Sequence, residues 1–183
     1  MKPVVCWDFD ETLGYFRPHE FAWAGQPRPA SMPPPRLKPG IAELLASLSA
    51  FTHVVTTAAV REYARDVLRQ HDLLRHFAAV FGREDGMWPK DYGVVARQFD
   101  VSDRQMIIVG NDQSDADCNG RPIVLIYDER MMDRPAELLR ALLEDLAVLG
   151  FDACRREGYS FEYWGNYEAK KTYPVVRTIL PMC

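Results

Sequence analysis

A chain of 183 residues with 48% hydrophobic and 26% charged content has an ordinary globular composition and is long enough to bury its own core. Its formal net charge of −4 supplies no general basic field, which argues against nonspecific attachment to a nucleic-acid backbone. Neither a secretory leader nor a membrane span is visible, because the apolar stretch after Lys2 meets Asp8 almost at once, and a cytoplasmic location is expected.

The first element is the apolar run Val4-Val5-Cys6-Trp7, which predicts a buried strand and ends in Asp8-Phe9-Asp10-Glu11-Thr12-Leu13. Successive strand side chains alternate faces, so Asp8, Asp10 and Thr12 are expected to emerge on one side of the strand end. Two carboxylates that close raise one another's pKa, so the pair requires a cation between them or a proton on one of them. Either outcome is chemistry: a hard metal on oxygen ligands, or a nucleophile beside a general acid and base.

Residues 14–39 hold seven of the thirteen prolines and are expected to be irregular, since proline lacks a donor and restricts its predecessor. Tyr15, Phe16, Phe21 and Trp23 within this stretch predict an ordered flap packed over a substrate. Pro39 suits a first helical turn, and Ile41, Leu44, Leu45, Leu48 and Phe51 form one apolar stripe. His53 to Thr57 reads as a second buried strand, and Val60, Tyr63, Ala64, Val67 and Leu68 as the next helix. Residues 78–82 predict a third strand, Tyr92, Val95 and Phe99 a helix starting near Asp91, residues 106–110 a fourth strand and residues 123–127 a fifth. Leucines from Leu138 to Leu149 predict a long last helix.

The alternation of periods predicts an α/β fold: a Rossmann-like parallel sheet of about five strands with helices on both faces. Residues 1–150 are expected to be the catalytic domain, with 14–39 as its insertion. Residues 151–183 lack a helical period and are rich in aromatic residues, which predicts an extension packed on the same domain, with a docking tail, a dimer arm or an extra edge element as the alternatives. The histidines His19, His53, His71 and His76 show no metal spacing and are expected at surface or capping positions. The cysteines Cys6, Cys118, Cys154 and Cys183 are scattered, so reduced thiols are expected.

Polar residues gather at the strand ends. The first strand delivers Asp8 and Asp10, the second Thr56 and Thr57, the turn after the third Lys90, and the fourth Asn111, Asp112 and Asp115. Open α/β sheets bind ligands at the carboxyl ends of their strands. The set suits phosphoryl transfer through an aspartyl intermediate, with a nucleophile, a second carboxyl group, a hydroxyl, an ammonium and oxygens for a divalent ion. Lys38 is a second lysine able to reach the mouth.

These motifs resemble those of the haloacid dehalogenase superfamily of phosphatases, small-cap type. Asp8-x-Asp10-x-Thr12 is similar to its first motif, Val54-Val55-Thr56-Thr57 to its second, Lys90 to its third, and Ile107-Ile108-Val109-Gly110-Asn111-Asp112 to its fourth. Asp8 to Leu13 and Thr57 to Ala64 are similar to the branch that contains the RNA polymerase II carboxy-terminal domain phosphatases and NLI-interacting factors. The resemblance implies hydrolysis of a phosphate monoester, carried by a small molecule or a phosphoprotein. It implies Asp8 as the nucleophile, Asp10 as general acid and base, and Thr12 as the residue tying down the loop that aims Asp10. Thr57, favoured over Thr56, and Lys90 would hold the phosphoryl oxygens together with the loop at Phe9. Mg²⁺ would be held by Asp8, by Asp10 through its backbone carbonyl, and by Asn111 by position or Asp112 by charge, with Asp115 in support. A phosphotransferase of the same superfamily and a catalytically weak binding module are the alternatives, the second because Asn111 stands where an aspartate is usual.

Overall fold

The computed structural model describes residues 2–27, 29–102, 105–110 and 115, and the strand backbones at 124–126, 160–166 and 171–177. Strand β1 (Val4–Trp7) is apolar at all four positions and buried throughout, as a strand covered on both faces must be. It pairs in parallel with β4 (Thr52–Thr56) on one side and β6 (Met106–Gly110) on the other. Strand β5 (Ala79–Phe81) adds in parallel outside β4, which makes a parallel four-strand sheet, and β7 (Val124–Ile126) adds in parallel outside β6.

Alternation along β1 sorts the core into two layers. Val5 and Trp7 face one side, where they pack with residues of α2 (Ile41–Ser47) and α3 (Arg61–Gln70) such as Leu44, Leu45, Tyr63 and Val67. Val4 and Cys6 face the other, against Tyr92 and Val95 at α4 (Gly93–Phe99). The helical stripes expected from the sequence are these buried faces. The fold is therefore α/β and Rossmann-like, with helices on both sides of the sheet.

Residues 14–39 depart from the expected irregularity. The two ends of the flap pair as an antiparallel ladder of β2 (Gly14–Tyr15) and β3 (Arg36–Leu37), and a helix, α1 (Arg17–Trp23), lies between them. Pro18 is tolerated because it sits in the first turn, where its missing N–H would have had no intrahelical partner. In the 151–183 extension, β8 (Ser160–Asn166) and β9 (Lys171–Arg177) form an antiparallel pair, and β9 joins the sheet beside β7. The helix expected across Leu138 to Leu149 lies outside the described residues.

His53 overturns the surface reading of the histidines. It is buried, Trp7 Nε1 donates to its Nδ1 at 3.0 Å, and its Nε2 donates to the Leu48 carbonyl at 3.1 Å. That pairing requires a neutral ring protonated on Nε2. Burial, opposed in part by the Leu48 carbonyl, pushes its pKa down to about 4. Cys6 is a buried thiol that takes part in no disulfide among the described residues. Among the described residues, no helix is long and apolar enough to cross a membrane.

Candidate active site

Register decides which residues meet. Trp7 lies opposite Val55 on one side and Val109 on the other, so Asp8 leaves the sheet between the ends of β4 and β6. Its backbone N–H donates to the Val109 carbonyl at 2.7 Å, which fixes the start of the loop. Glu11 then adopts a left-handed φ of 63°, and its N–H donates to the Gly14 carbonyl, turning the chain back toward the flap. The expected grouping of Asp8, Asp10 and Thr12 is thus achieved by a turn and not by a longer strand.

Lys90 is the centre of the cluster. Only 3% exposed, its Nζ donates to Asp8 Oδ1 at 2.6 Å, to Asp115 Oδ1 at 2.8 Å and to the Thr56 carbonyl at 3.0 Å. Burial alone would lower the Lys90 ammonium, but the charges of Asp115 and Asp8 reverse this and hold it well above the ordinary lysine value. Two carboxylates share this one ammonium. Burial and the charge of Asp115 together outweigh the help from Lys90, and the Asp8 carboxyl is pushed up to about 7. Lys38, the other candidate cation, faces a separate hollow beside Glu11, Tyr15 and Arg36.

Asp115 reaches Lys90 because Gly110 leaves room for it. A Cβ on Gly110 would stand 2.3 Å from Asp115 Oδ2 and 2.5 Å from Asp115 Cβ, far inside van der Waals contact. The Tyr92 hydroxyl donates to the Asp115 carbonyl at 2.6 Å and so holds the Asp115 backbone as well.

Thr12 stands beside the nucleophile candidate. Its hydroxyl donates to Asp8 Oδ2 at 3.1 Å, so it steadies the Asp8 carboxylate directly. The flap also holds Asp10: its Oδ1 accepts from the backbone N–H groups of Phe16 at 2.8 Å and Arg17 at 3.2 Å, at the start of α1. Burial raises the Asp10 pKa, and these backbone donors oppose the rise. The Phe9 ring turns into the core against Phe16 and Tyr63, at centroid distances of 4.7 and 6.0 Å, leaving its backbone to the site.

Thr56 and Thr57 separate cleanly. Thr56 is fully buried and its hydroxyl donates to the Trp7 carbonyl, whereas Thr57 lines a cavity of about 300 Å³ together with Asp8, Asp10, Lys90 and Asp115. The Thr57 hydroxyl accepts from the Ala59 N–H at 3.0 Å, a local turn that orients it. Arg83 Nε holds the same loop by donating to the Ala58 carbonyl at 2.9 Å.

Residues 3–155 match the family model described as NLI interacting factor-like phosphatase. The chain belongs to that family. Among solved structures, it is similar to a haloacid dehalogenase superfamily hydrolase from Ehrlichia chaffeensis, with 15% identity, 79% of this chain and 98% of that one covered, and a TM-score of 0.59. A haloacid dehalogenase-like hydrolase from Streptococcus pneumoniae matches at 17% identity over 77% of this chain and 98% of that one, with a TM-score of 0.55. A predicted phosphatase from Clostridium acetobutylicum matches at 16% identity over 79% and 99%, with a TM-score of 0.54. At these identities the likeness is one of fold. No curated protein sequence matches the chain.

As an NLI interacting factor-like phosphatase, the chain is a hydrolase of the haloacid dehalogenase type. Of the expected site residues, Asp8, Asp10, Thr57, Lys90 and Asp115 line one cavity, Thr12 and the Phe9 backbone support it, and Asn111 and Asp112 lie outside the described residues. Among the described residues, no group of three histidine, cysteine or acidic side chains is gathered in a form able to hold a metal. Sequence reasoning missed Glu20, Tyr63, Arg83 and Trp88, which also line the cavity. Tyr63 was hidden in an apolar helical stripe, and Glu20 in the flap. The only available signal for Arg83 and Trp88 was their place in the loop that leads to Lys90.

Proposed function

We propose that this phosphatase hydrolyses a phosphate monoester through an aspartyl-phosphate on Asp8. The observation that carries the reading is the Lys90 ammonium, buried against Asp8 and Asp115 beneath a cavity that opens over Asp8, Asp10 and Thr57. An Asp8 carboxylate oxygen forms a bond to phosphorus while the bond to the ester oxygen breaks, and Asp10 gives its proton to the departing alcohol. Water then attacks the acyl phosphate, Asp10 takes the proton from that water, and inorganic phosphate leaves with Asp8 restored. Lys90 and the Thr57 hydroxyl hold the phosphoryl oxygens, and Thr12 keeps the Asp8 carboxylate aimed. The elevated pKa of Asp10 and its backbone tether to Phe16 and Arg17 suit a carboxyl that carries a proton at a fixed point.

The donor chemistry fits a magnesium ion. The described carboxylates around Lys90 outnumber its single positive charge, and all of them are hard oxygen donors. Asp8, the Asp10 carbonyl and either Asn111 or Asp112 would hold the ion, with Asp115 in support. When bound it supplies neutralisation of the charge that builds on the phosphoryl oxygens.

The test is hydrolysis of para-nitrophenyl phosphate with Mg²⁺ by the wild type and by Asp8→Asn. Turnover that falls by at least about a thousandfold in the variant is expected, because the step has no other nucleophile. Absence of turnover in the wild type across a pH series overturns the reading in favour of a binding module. Transfer of the phosphoryl group to an added alcohol in preference to water would assign a phosphotransferase.

A further inference from the structure

Asp10 is tethered to the first N–H groups of α1, at Phe16 and Arg17, so its place depends on how firmly that helix sits on the core. Two histidines meet at this contact. His19 lies within α1, and its Nε2 stands 3.2 Å from Nε2 of His71, the residue that closes α3. The Phe16 ring packs against the His71 ring with centroids 5.3 Å apart, and the Tyr63 hydroxyl donates to the Phe16 carbonyl at 3.0 Å. One short segment, 16–19, therefore touches both Asp10 and α3.

The two imidazole centres are 5.4 Å apart with planes at 78°. That separation is close to the Nε2 gap plus one ring radius at each end, so the two nitrogens point at each other along a nearly straight line. A metal ion shared by the pair would turn both lone pairs toward a third point and draw the ring centres together. The contact is thus an N–H···N hydrogen bond, in which one ring donates from Nε2 and the other, protonated on Nδ1, accepts. Both rings are half-buried, and neither makes another side-chain hydrogen bond or an ion pair among the described residues.

One added proton leaves this bond standing, because it enters the Nδ1 of the donor ring. A second proton must take the lone pair of the accepting Nε2, which removes the acceptor and sets two cations head to head. The charged side chains beside the pair are Arg17 and Glu20 on α1 and Arg69 and Asp72 at the end of α3, where Asp66 pairs with Arg69 and Arg75 pairs with Asp72 at 3.0 Å. The carbonyl end of α3 favours charge on His71. Burial nonetheless lowers the pKa of both rings, and the charge of His71 lowers that of His19 further. The bond is accordingly intact above the ordinary histidine value of 6.5 and is lost as pH falls below it.

We infer that His19 and His71 are positioning residues of this phosphatase: their hydrogen bond fixes α1 on α3 and so holds Asp10 where it can protonate the departing alcohol. The inference rests on the reading of Asp8 as the nucleophile and Asp10 as its acid. When the bond breaks, α1 shifts on α3 and carries the Phe16 and Arg17 N–H groups with it, so Asp10 loses its aim. Asp8 keeps its own place, because Lys90 and Thr12 hold it.

The test measures kcat/KM with Mg²⁺ for ethyl phosphate, whose leaving alcohol needs a proton, and for para-nitrophenyl phosphate, whose leaving group does not. His19→Ala and His71→Ala should each lower the ethyl phosphate value by about fivefold or more at pH 7.5 and the para-nitrophenyl value by about twofold or less, and the double variant should lose little beyond either single one. The gap between wild type and the alanine variants on ethyl phosphate should shrink as pH falls to 5, since the wild type loses the same bond. His71→Gln, whose amide can still pair with His19 but does not titrate, should keep near wild-type turnover at pH 7.5 and lose less of it at pH 5. Both histidines are half-buried, so the variants are expected to fold. Equal losses on the two esters, no loss on either, or a gap that does not change with pH overturns the positioning role and leaves the Asp8 reading standing. Hydrolysis of neither ester by the wild type overturns both.

Discussion

His53 makes the folded state sensitive to acid at a position far from the reacting groups. Its neutral ring accepts from Trp7 Nε1 and donates to the Leu48 carbonyl, and burial lowers its pKa from 6.5 to about 4. The folded value lies below the unfolded one, so the unfolded chain binds the proton first as pH falls. The stabilisation is therefore complete above pH 6.5 and is lost as pH drops toward about 4. Each tenfold change in proton affinity is worth about 1.4 kcal/mol, so the full loss is roughly 3 kcal/mol, of which about 2 kcal/mol is gone by pH 5. The perturbation is His53→Gln, whose amide can accept and donate but does not titrate. Urea unfolding of both proteins between pH 7.5 and 5, in half-unit steps, reads the difference of their slopes, from which the other histidines cancel. Wild-type stability should fall by about 2 kcal/mol more than that of the variant over this range, whatever their absolute values. Parallel curves would refute the buried, neutral state of His53.

Gly110→Ala places a methyl group where Asp115 now lies, so Asp115 must withdraw from Lys90; stability should drop by about 1–3 kcal/mol, and turnover of para-nitrophenyl phosphate should fall with little change in fold by circular dichroism. Unchanged kcat would show that Asp115 has no part in holding Lys90 for the reaction. Lys90→Met leaves Asp8 and Asp115 facing each other without their shared ammonium, a change expected to cost about 3–5 kcal/mol by thermal or urea unfolding. Adding Asp115→Asn to Lys90→Met should recover part of that stability but none of the turnover; no gain in stability would mean that the two carboxylates do not repel in the folded protein.

Much of the fold was legible in the sequence because its signals are local. Four consecutive apolar residues before Asp8 mark a central strand, and the stripe of Tyr63, Ala64, Val67 and Leu68 marks one buried helical face. The helix in the flap is not legible from proline content, because Pro18 occupies the one helical turn that accepts it. The burial of His53 is illegible for a different reason: nothing adjacent in the chain reveals that Trp7, 46 residues away, donates to it.

The composition of the candidate site was present in the residues themselves: Asp8, Asp10, Thr57 and Lys90 stand at the ends of elements whose periods any reader of the sequence can find. Their relations were not. Lys90 meets Asp8 across 82 residues and Asp115 across 25, and only the parallel register of β1 with β4 and β6 brings these ends to one mouth. Likewise, His19 meets His71, 52 residues away, only when α1 docks on α3. Side-chain chemistry and element period are properties of neighbouring residues and survive in one dimension, whereas distance, burial and the sharing of one charge by two carboxylates come into being when the sheet closes.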